Sequence, residues 1–362
     1  MRITAAVLRA PNAPHSIEEL ELADPGPGQV RVRIAGAGLC HSDLLARVPG
    51  YTPHPIVTGH ESSGIIDALG PGVANLAVGD PVVLSYDACR TCQNCLSAQP
   101  AYCAEFTRRN LTGAGADEDG VLSDAAGAPV ASRWFGQSSL ASHAVTAAAN
   151  LVKVDRNLPL ELLGPLGCGA QTGAGAVWNS LAVQPGSSIA VFGSGSVGLS
   201  AVMAARVAGA GVIVAVDVNP ARRALALELG ATHALDGAEP DLSRALADVS
   251  SGGMQYTLDT TGLPAVIITA VYALRTTGVC GLLGVQHGDL ALPPDALAPG
   301  RTVMGIIEGG AVPQTFVPRL LTLWRQGRFP FDRLITTFPL ARISDAERAA
   351  LDGTVVKPVL LP

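Results

Sequence analysis

The chain is short of aromatic residues, at 4% of the sequence. It also has no long apolar run, no cluster of basic residues and no even set of cysteines. Each absence closes off a class of protein. No apolar stretch approaches the roughly 20 residues a membrane-spanning helix needs, so a membrane protein is not expected. Lys and Arg are dispersed and the net charge is −6, which leaves no basic surface for nucleic acid or anionic lipid. Residues 1–10 lack the basic start and long apolar core of a secretion signal, and a cytoplasmic protein is expected. Seven cysteines, an odd number, argue against a disulfide framework in such a chain.

What is present is length and glycine. The 362 residues are 48% hydrophobic, enough for two domains with separate cores. With 41 Gly and 26 Pro, the composition suits tight turns and buried strands more than helical bundles. Up to about residue 155, short Val/Ile-rich runs such as 29–34, 64–69 and 80–84 are split by Pro and Gly. That pattern predicts a mostly β, barrel-like domain. Near residue 170 it changes. Strands at 188–192, 212–217, 256–259, 279–283 and 302–306 alternate with helical stretches at 197–207 and 221–229. Alternation of this kind predicts a doubly wound parallel sheet covered on both faces. The expected division is 1–169 with 307–362 for the first domain, including a cysteine lobe at 86–106, and 170–306 for the second.

Cys89, Cys92, Cys95 and Cys103 have the spacing C-x2-C-x2-C-x7-C. Two-residue gaps let successive thiolates face one ion from a tight loop, and a closed set of four suits a structural zinc. An iron–sulfur cluster would favour a three-residue last gap followed by Pro, whereas the gap here is seven and Ala104 follows. A nucleic-acid-binding zinc ribbon would favour basic and aromatic neighbours, but Asp117, Glu118, Asp119 and Asp124 come next.

A second set is scattered. Cys40 lies in Gly38-Leu39-Cys40-His41-Ser42-Asp43, His60 precedes Glu61, and Cys168 sits between glycines. Two cysteines and a histidine would leave a fourth zinc position open for water or substrate, as catalysis requires. Glu61 could support the site or join the ion, and Asp43 could orient the His60 imidazole through its free ring nitrogen. Singly, each reads equally as an ordinary core or surface residue.

Gly193-Ser194-Gly195-Ser196-Val197-Gly198 fits the dinucleotide pattern G-x-G-x-x-G in its required context, after a strand and opening a helix. The glycines permit the tight turn, the approach of a pyrophosphate and helix–strand packing, and the helix N-terminus favours phosphate charge. Asp217 ends the next strand, nineteen residues after Gly198. A carboxylate there accepts ribose hydroxyls and repels a 2′-phosphate, favouring NAD over NADP, a preference tempered by Arg222 and Arg223.

These motifs, in this order and spacing, resemble the zinc-dependent medium-chain alcohol dehydrogenases over essentially the whole chain. Two stretches look more like the bacterial aryl- and benzyl-alcohol branch: the insert 110–135 followed by Gly136-Gln137-Ser138-Ser139, and 301–309 continuing through 324–331. The resemblance implies a GroES-like catalytic domain beside a Rossmann domain, NAD, and two zinc ions, one catalytic and one structural. It implies Cys40, His60 and Cys168 as catalytic zinc ligands with Glu61 beside them, and Ser42 as the hydroxyl that takes the substrate proton. His41 and Lys357 fall where the family places groups near the pyrophosphate. Thr172 and Val285 fall where it contacts the nicotinamide. Many animal members carry a histidine at the position of Leu45, so the proton must leave by another route. The expected substrate is a small primary aromatic or allylic alcohol, or its aldehyde. The expected assembly is a homodimer or homotetramer. A thiol-dependent formaldehyde dehydrogenase on the same scaffold, a zinc-free quinone reductase and a non-catalytic zinc- or NAD-binding protein remain alternatives.

Overall fold

A computed structural model describes residues 1–114 and 120–362. Asp117, Glu118, Asp119 and part of the 110–135 insert lie outside the described residues. The chain divides into two compact units. The first comprises Met1–Cys168, Val312–Arg319 and Asp332–Pro362, and the second Gly169–Ala311 and Leu320–Phe331.

The first unit is built on two sheets. One runs in the order Ile56–Val57, Arg2–Leu8, His15–Leu22, Leu122–Ser123, Pro129–Val130, all antiparallel. The other, barrel-like, runs Leu151–Lys153, Pro81–Leu84, Glu61–Leu69, Gln29–Gly38, Lys357–Leu361, Ile335–Pro339, with His143–Ala147 also paired to Gln29–Gly38. Val30, Val32 and Ile34 alternate inward along Gln29–Gly38 and share a core with Ile66, Val82 and Leu84. Each such buried aliphatic contributes about 1.5–3 kcal/mol over exposure. Register then positions the chemistry. Gly38 pairs with Glu61 and also with Val359, two residues after Lys357. A Cβ on Gly38 would fall 2.4 Å from Glu61 Oε2, so only glycine lets that carboxylate cross the strand.

The second unit holds a six-stranded parallel sheet in the order His233–Asp236, Val212–Asp217, Ser188–Phe192, Met254–Asp259, Leu274–Leu282, Thr302–Gly305. In chain order this is 3-2-1-4-5-6, the doubly wound dinucleotide-binding arrangement. Ser188–Phe192 is buried at every position, as expected for a central parallel strand. Helix Ser196–Ala208 buries its small-residue face and stops at Gly209, left-handed with φ 79°. Asn219 caps Pro220–Leu229 by accepting from the Ala221 and Arg222 amides.

The chain leaves the second unit later than the expected residue 307. Glu308 is held by Gln171 and Thr172, and Gly309 packs directly on Gly175, so the turn through Ala311 stays with the sheet unit. Residues 320–331 also belong there, with Phe329 buried against Trp178 at 6.3 Å between ring centroids. No helix among the described residues is long and apolar enough to cross a membrane.

Candidate active site

The first unit brings Cys40, His60, Glu61 and Cys168 together. One ligand atom from each lies within 4.8 Å of all the others, although the residues come from three distant stretches. An ion bonded at about 2.0–2.3 Å can bridge such a span. None of the seven cysteines is in a disulfide. His60 Nε2 is buried and has no hydrogen-bond partner among the described residues. An orphaned imidazole nitrogen beside two thiols is costly unless something binds it, and a metal ion fits that need. A hydrogen bond with Cys168 holds the Cys40 thiol well below the ordinary thiol range, against the effect of burial, which favours the thiolate a metal requires.

The supports are local and specific. Cys40 caps the short helix His41–Arg47, and the Cys40 amide donates to Asp43 Oδ2 at 3.0 Å. The other Asp43 oxygen lies 2.9 Å from His60 Nδ1 and accepts the Gly59 amide at 2.9 Å. Ser42 Oγ is 4.0 Å from Cys40 Sγ, and His41 is exposed. Leu45 is half-buried.

Lys357, 4% exposed, has its Nζ 2.9 and 2.8 Å from the two oxygens of Glu61 and 3.1 Å from the Leu39 carbonyl. The register next to Gly38 puts it there. Burial pushes the Glu61 carboxyl up to about 7, against the pull of the ammonium. Lys357 therefore neutralises and holds the carboxylate beside the ligand set.

Cys89, Cys92, Cys95 and Cys103 form a second cluster, again with all four sulfurs within 4.8 Å of one another. Backbone amides point at them: the Cys89 amide lies 3.3 Å from Cys103 Sγ, the Cys92 amide 3.3 Å from Cys89 Sγ, and the Glu105 amide 3.4 Å from Cys103 Sγ. The Thr91 and Cys92 amides bring Cys89 down to about 6. Donors aimed at sulfur favour the thiolate that binds metal, while burial raises Cys95 and Cys103.

In the second unit, Gly193 has φ 91°, a conformation that penalises side chains. A Cβ on Gly198 would lie 1.8 Å from the Gly193 carbonyl oxygen, so that glycine allows helix and strand to close. A Cβ on Gly195 would meet nothing within 4 Å, which leaves open space over the loop for a ligand. Ser196 and Val197 open the helix. Asp217 accepts the Ser194 amide at 2.6 Å and the Asn219 amide at 2.8 Å, and Arg223 donates to its carbonyl. Arg222 keeps its Nε without a partner among the described residues. The Val285 carbonyl packs on Gly262, where a Cβ would be 2.0 Å away.

Several supporting residues lay beyond sequence reasoning. Glu308, buried and left-handed at φ 49°, accepts from Thr172 Oγ1 at 3.3 Å and Gln171 Nε2 at 3.1 Å. Phe135 and Gln137 contact His60, and Trp134 reaches it through Asp43. Their signal was the end of the 110–135 insert and the Gly136-Gln137-Ser138-Ser139 stretch after it, which carry no chemistry by themselves.

A cysteine–histidine centre on a barrel-like unit, with a glycine loop on a doubly wound unit, defines a class. The chain belongs to the zinc-binding alcohol dehydrogenases: residues 26–156 match the alcohol dehydrogenase GroES-like domain and residues 196–324 the zinc-binding dehydrogenase domain. It is a zinc-dependent oxidoreductase acting on CH–OH groups. Among its relatives is the geraniol dehydrogenase of Castellaniella defragrans, 48% identical over 99% of this chain and 97% of that protein. An alcohol dehydrogenase zinc-binding domain protein from Burkholderia ambifaria superposes with a TM-score of 0.97 at 50% identity, covering 100% of this chain and 99% of the other. The benzyl alcohol dehydrogenase of Acinetobacter calcoaceticus superposes at 0.95 and 40% identity, with the same coverage.

Proposed function

We propose that the chain is an NAD-dependent zinc alcohol dehydrogenase that interconverts primary allylic or aromatic alcohols and their aldehydes. The observation that carries this is the convergence of Cys40, His60 and Cys168 with a buried, unpartnered imidazole nitrogen. Cys40, His60 and Cys168 would hold a zinc ion, with Glu61 close enough to join it. Such an ion supplies Lewis-acid stabilisation of developing charge on an alcohol oxygen, and NAD accepts the hydride. Ser42 would take the hydroxyl proton, and with Leu45 where many relatives carry a histidine, the proton would leave by a different route. Asp43 keeps the His60 ring aimed.

A second zinc ion in Cys89, Cys92, Cys95 and Cys103 is structural. For the nucleotide, Gly193, Gly195 and Gly198 shape the loop, and the first amides of the Ser196 helix, with Val197, favour the pyrophosphate. Asp217 would receive the adenosine ribose, with Arg222 close by in sequence. His41 and Lys357 would serve the pyrophosphate. Thr172 and the Val285 carbonyl would contact the nicotinamide. The substrate class is supported by relatives named for geraniol and benzyl alcohol, an allylic and a benzylic alcohol. We also read the protein as a cytoplasmic homodimer or homotetramer.

The test is a panel of benzyl, cinnamyl, terpenoid allylic and short aliphatic alcohols, followed by NADH formation, with zinc counted per chain. Higher kcat/KM for the conjugated alcohols and two zinc ions are expected. Absence of zinc, no NAD reduction, or a strict need for an added thiol would each defeat the reading.

A further inference from the structure

One short segment, 134–139, grips the His60 end of the site from several directions. Trp134, with no exposed surface, donates its indole N–H at 3.0 Å to Asp43 Oδ1, the oxygen that meets His60 Nδ1. Phe135 stacks on the imidazole, with centroids 4.2 Å apart and planes 18° from parallel. Gln137 uses both ends of its amide. Nε2 donates to the His60 carbonyl at 3.0 Å and the Ser85 carbonyl at 3.4 Å, while Oε1 accepts from Ser62 and Ser139 at 2.8 and 3.1 Å. Ser85 in turn donates to the Gly167 carbonyl at 2.6 Å, next to Cys168.

The segment adopts a costly shape to do this. Phe135 and Ser138 both have φ 49°, and Gly136 between them has φ 67°. Left-handed non-glycine residues cost about 1–3 kcal/mol each and persist only where their surroundings over-determine them. Here the Trp134 amide donates to Ser138 Oγ at 2.9 Å, and the Ser139 and Leu140 amides bond the carbonyls of Gly59 and Thr58 at 3.0 Å, the two residues before His60.

We propose that Trp134 is a positioning residue of the zinc centre: by donating to Asp43 Oδ1 it pins the carboxylate that orients His60, while Phe135 fixes the plane of the ring. This rests on reading Cys40, His60 and Cys168 as the zinc ligands. Asp43 Oδ1 has three donors around it: the Gly59 amide, the His60 ring and the indole. Losing the indole frees the carboxylate to rotate and with it the ring. Partners beyond a metal's ligands commonly change its affinity 10–100-fold.

The experiment compares W134F with W178F in the purified zinc enzyme. Trp178 donates its indole to the Ala204 carbonyl at 2.9 Å within the second unit, so W178F removes the same kind of bond elsewhere. The readouts are zinc release to a colorimetric chelator and the visible ligand-field spectrum of cobalt-substituted protein. W134F is expected to release one zinc equivalent about 10-fold faster, with the other unchanged, and to shift the cobalt bands. W178F should match the parent in both. A W134F protein with parental release and parental bands overturns the proposal. Should W134F fail to fold, F135L, which loses the ring stack, takes its place: faster release with shifted bands supports the proposal, and parental behaviour in both overturns it. A parent protein that binds no zinc with its scattered ligands overturns the zinc reading and the positioning role together. Normal zinc with an unmoved W134F overturns the positioning role alone.

Discussion

Cys89, Cys92, Cys95 and Cys103 sit in one loop of fifteen residues, three of them partly exposed, and the nearby backbone supplies their hydrogen bonds. Cys40, His60 and Cys168 span 128 residues by their numbering, and two of the three are buried. Their arrangement depends on strand register, on the Asp43 carboxylate, on the Glu61–Lys357 pair and on the 134–139 turn. The first cluster is specified locally. The second exists only where the first unit's sheets are formed. A closed set of thiolates can tolerate partial exposure, since its task is to bind. A set with an open corner must be held rigidly by neighbours so that the corner stays open.

The contrast can be broken most sharply at His60. H60A should lower kcat/KM by at least about 10³-fold, because several kcal/mol of charge stabilisation depend on the ion that we propose it holds. Zinc should fall by one per chain, and loss of both ions would show that the clusters are not independent. Next comes Lys357. K357M leaves Glu61 buried without its cation, which should cost about 3–5 kcal/mol in urea unfolding. A near-parental midpoint would mean that the scattered site is less dependent on this pair than its geometry implies. For the local cluster, C95S should empty its metal and cost about 2–5 kcal/mol, comparable to losing a cross-link. The catalytic constants of the surviving folded fraction should stay near parental, and a kcat loss as large as that of H60A would erase the distinction.

The smallest effect reaches the scattered site from a distance. Glu347 bonds Arg47, the last residue of the helix that Cys40 caps, at 2.9 and 3.0 Å, and His15 at 3.2 Å. Burial raises its carboxyl, but His15 and Arg47 outweigh that and hold it below its ordinary value of 4.5. A carboxyl depressed in the fold stabilises above its unfolded value, and that contribution fades as pH falls through the folded one. E347Q should therefore cost about 1–2 kcal/mol at neutral pH. The gap to the parent should close in acid urea melts, and a gap independent of pH would remove the electrostatic account.

Local pattern made much of the second unit legible. Ser188–Phe192 and Val212–Asp217 were readable end to end, because central parallel strands are unbroken apolar runs between glycine turns. The glycine loop was readable because its pattern carries its own context. What could not be read were pairings across the fold. Trp134 meets Asp43 over 91 residues of sequence, and Thr172 meets Glu308 over 136. An indole, a glutamine and a glutamate in buried polar networks have no periodicity that marks them. Two short stretches within 307–362, through Ala311 and over 320–331, follow the sheet unit for the same reason: Glu308 and Phe329 are held by partners more than a hundred residues earlier.

The Glu61–Lys357 contact also sets an order in time. The two residues are 296 positions apart, so at about 5–20 residues per second Lys357 leaves the ribosome some 15–60 s after Glu61. During that interval the nascent chain already presents Cys89 through Cys103, a set complete within fifteen residues. The strand that brings Lys357 to Glu61 has not yet emerged, so the scattered set still lacks its buried ion pair. On the proposed two-zinc reading, a growing chain should acquire the ions at separate moments, and a stall before Lys357 should leave a half-metallated intermediate for quality control to recognise.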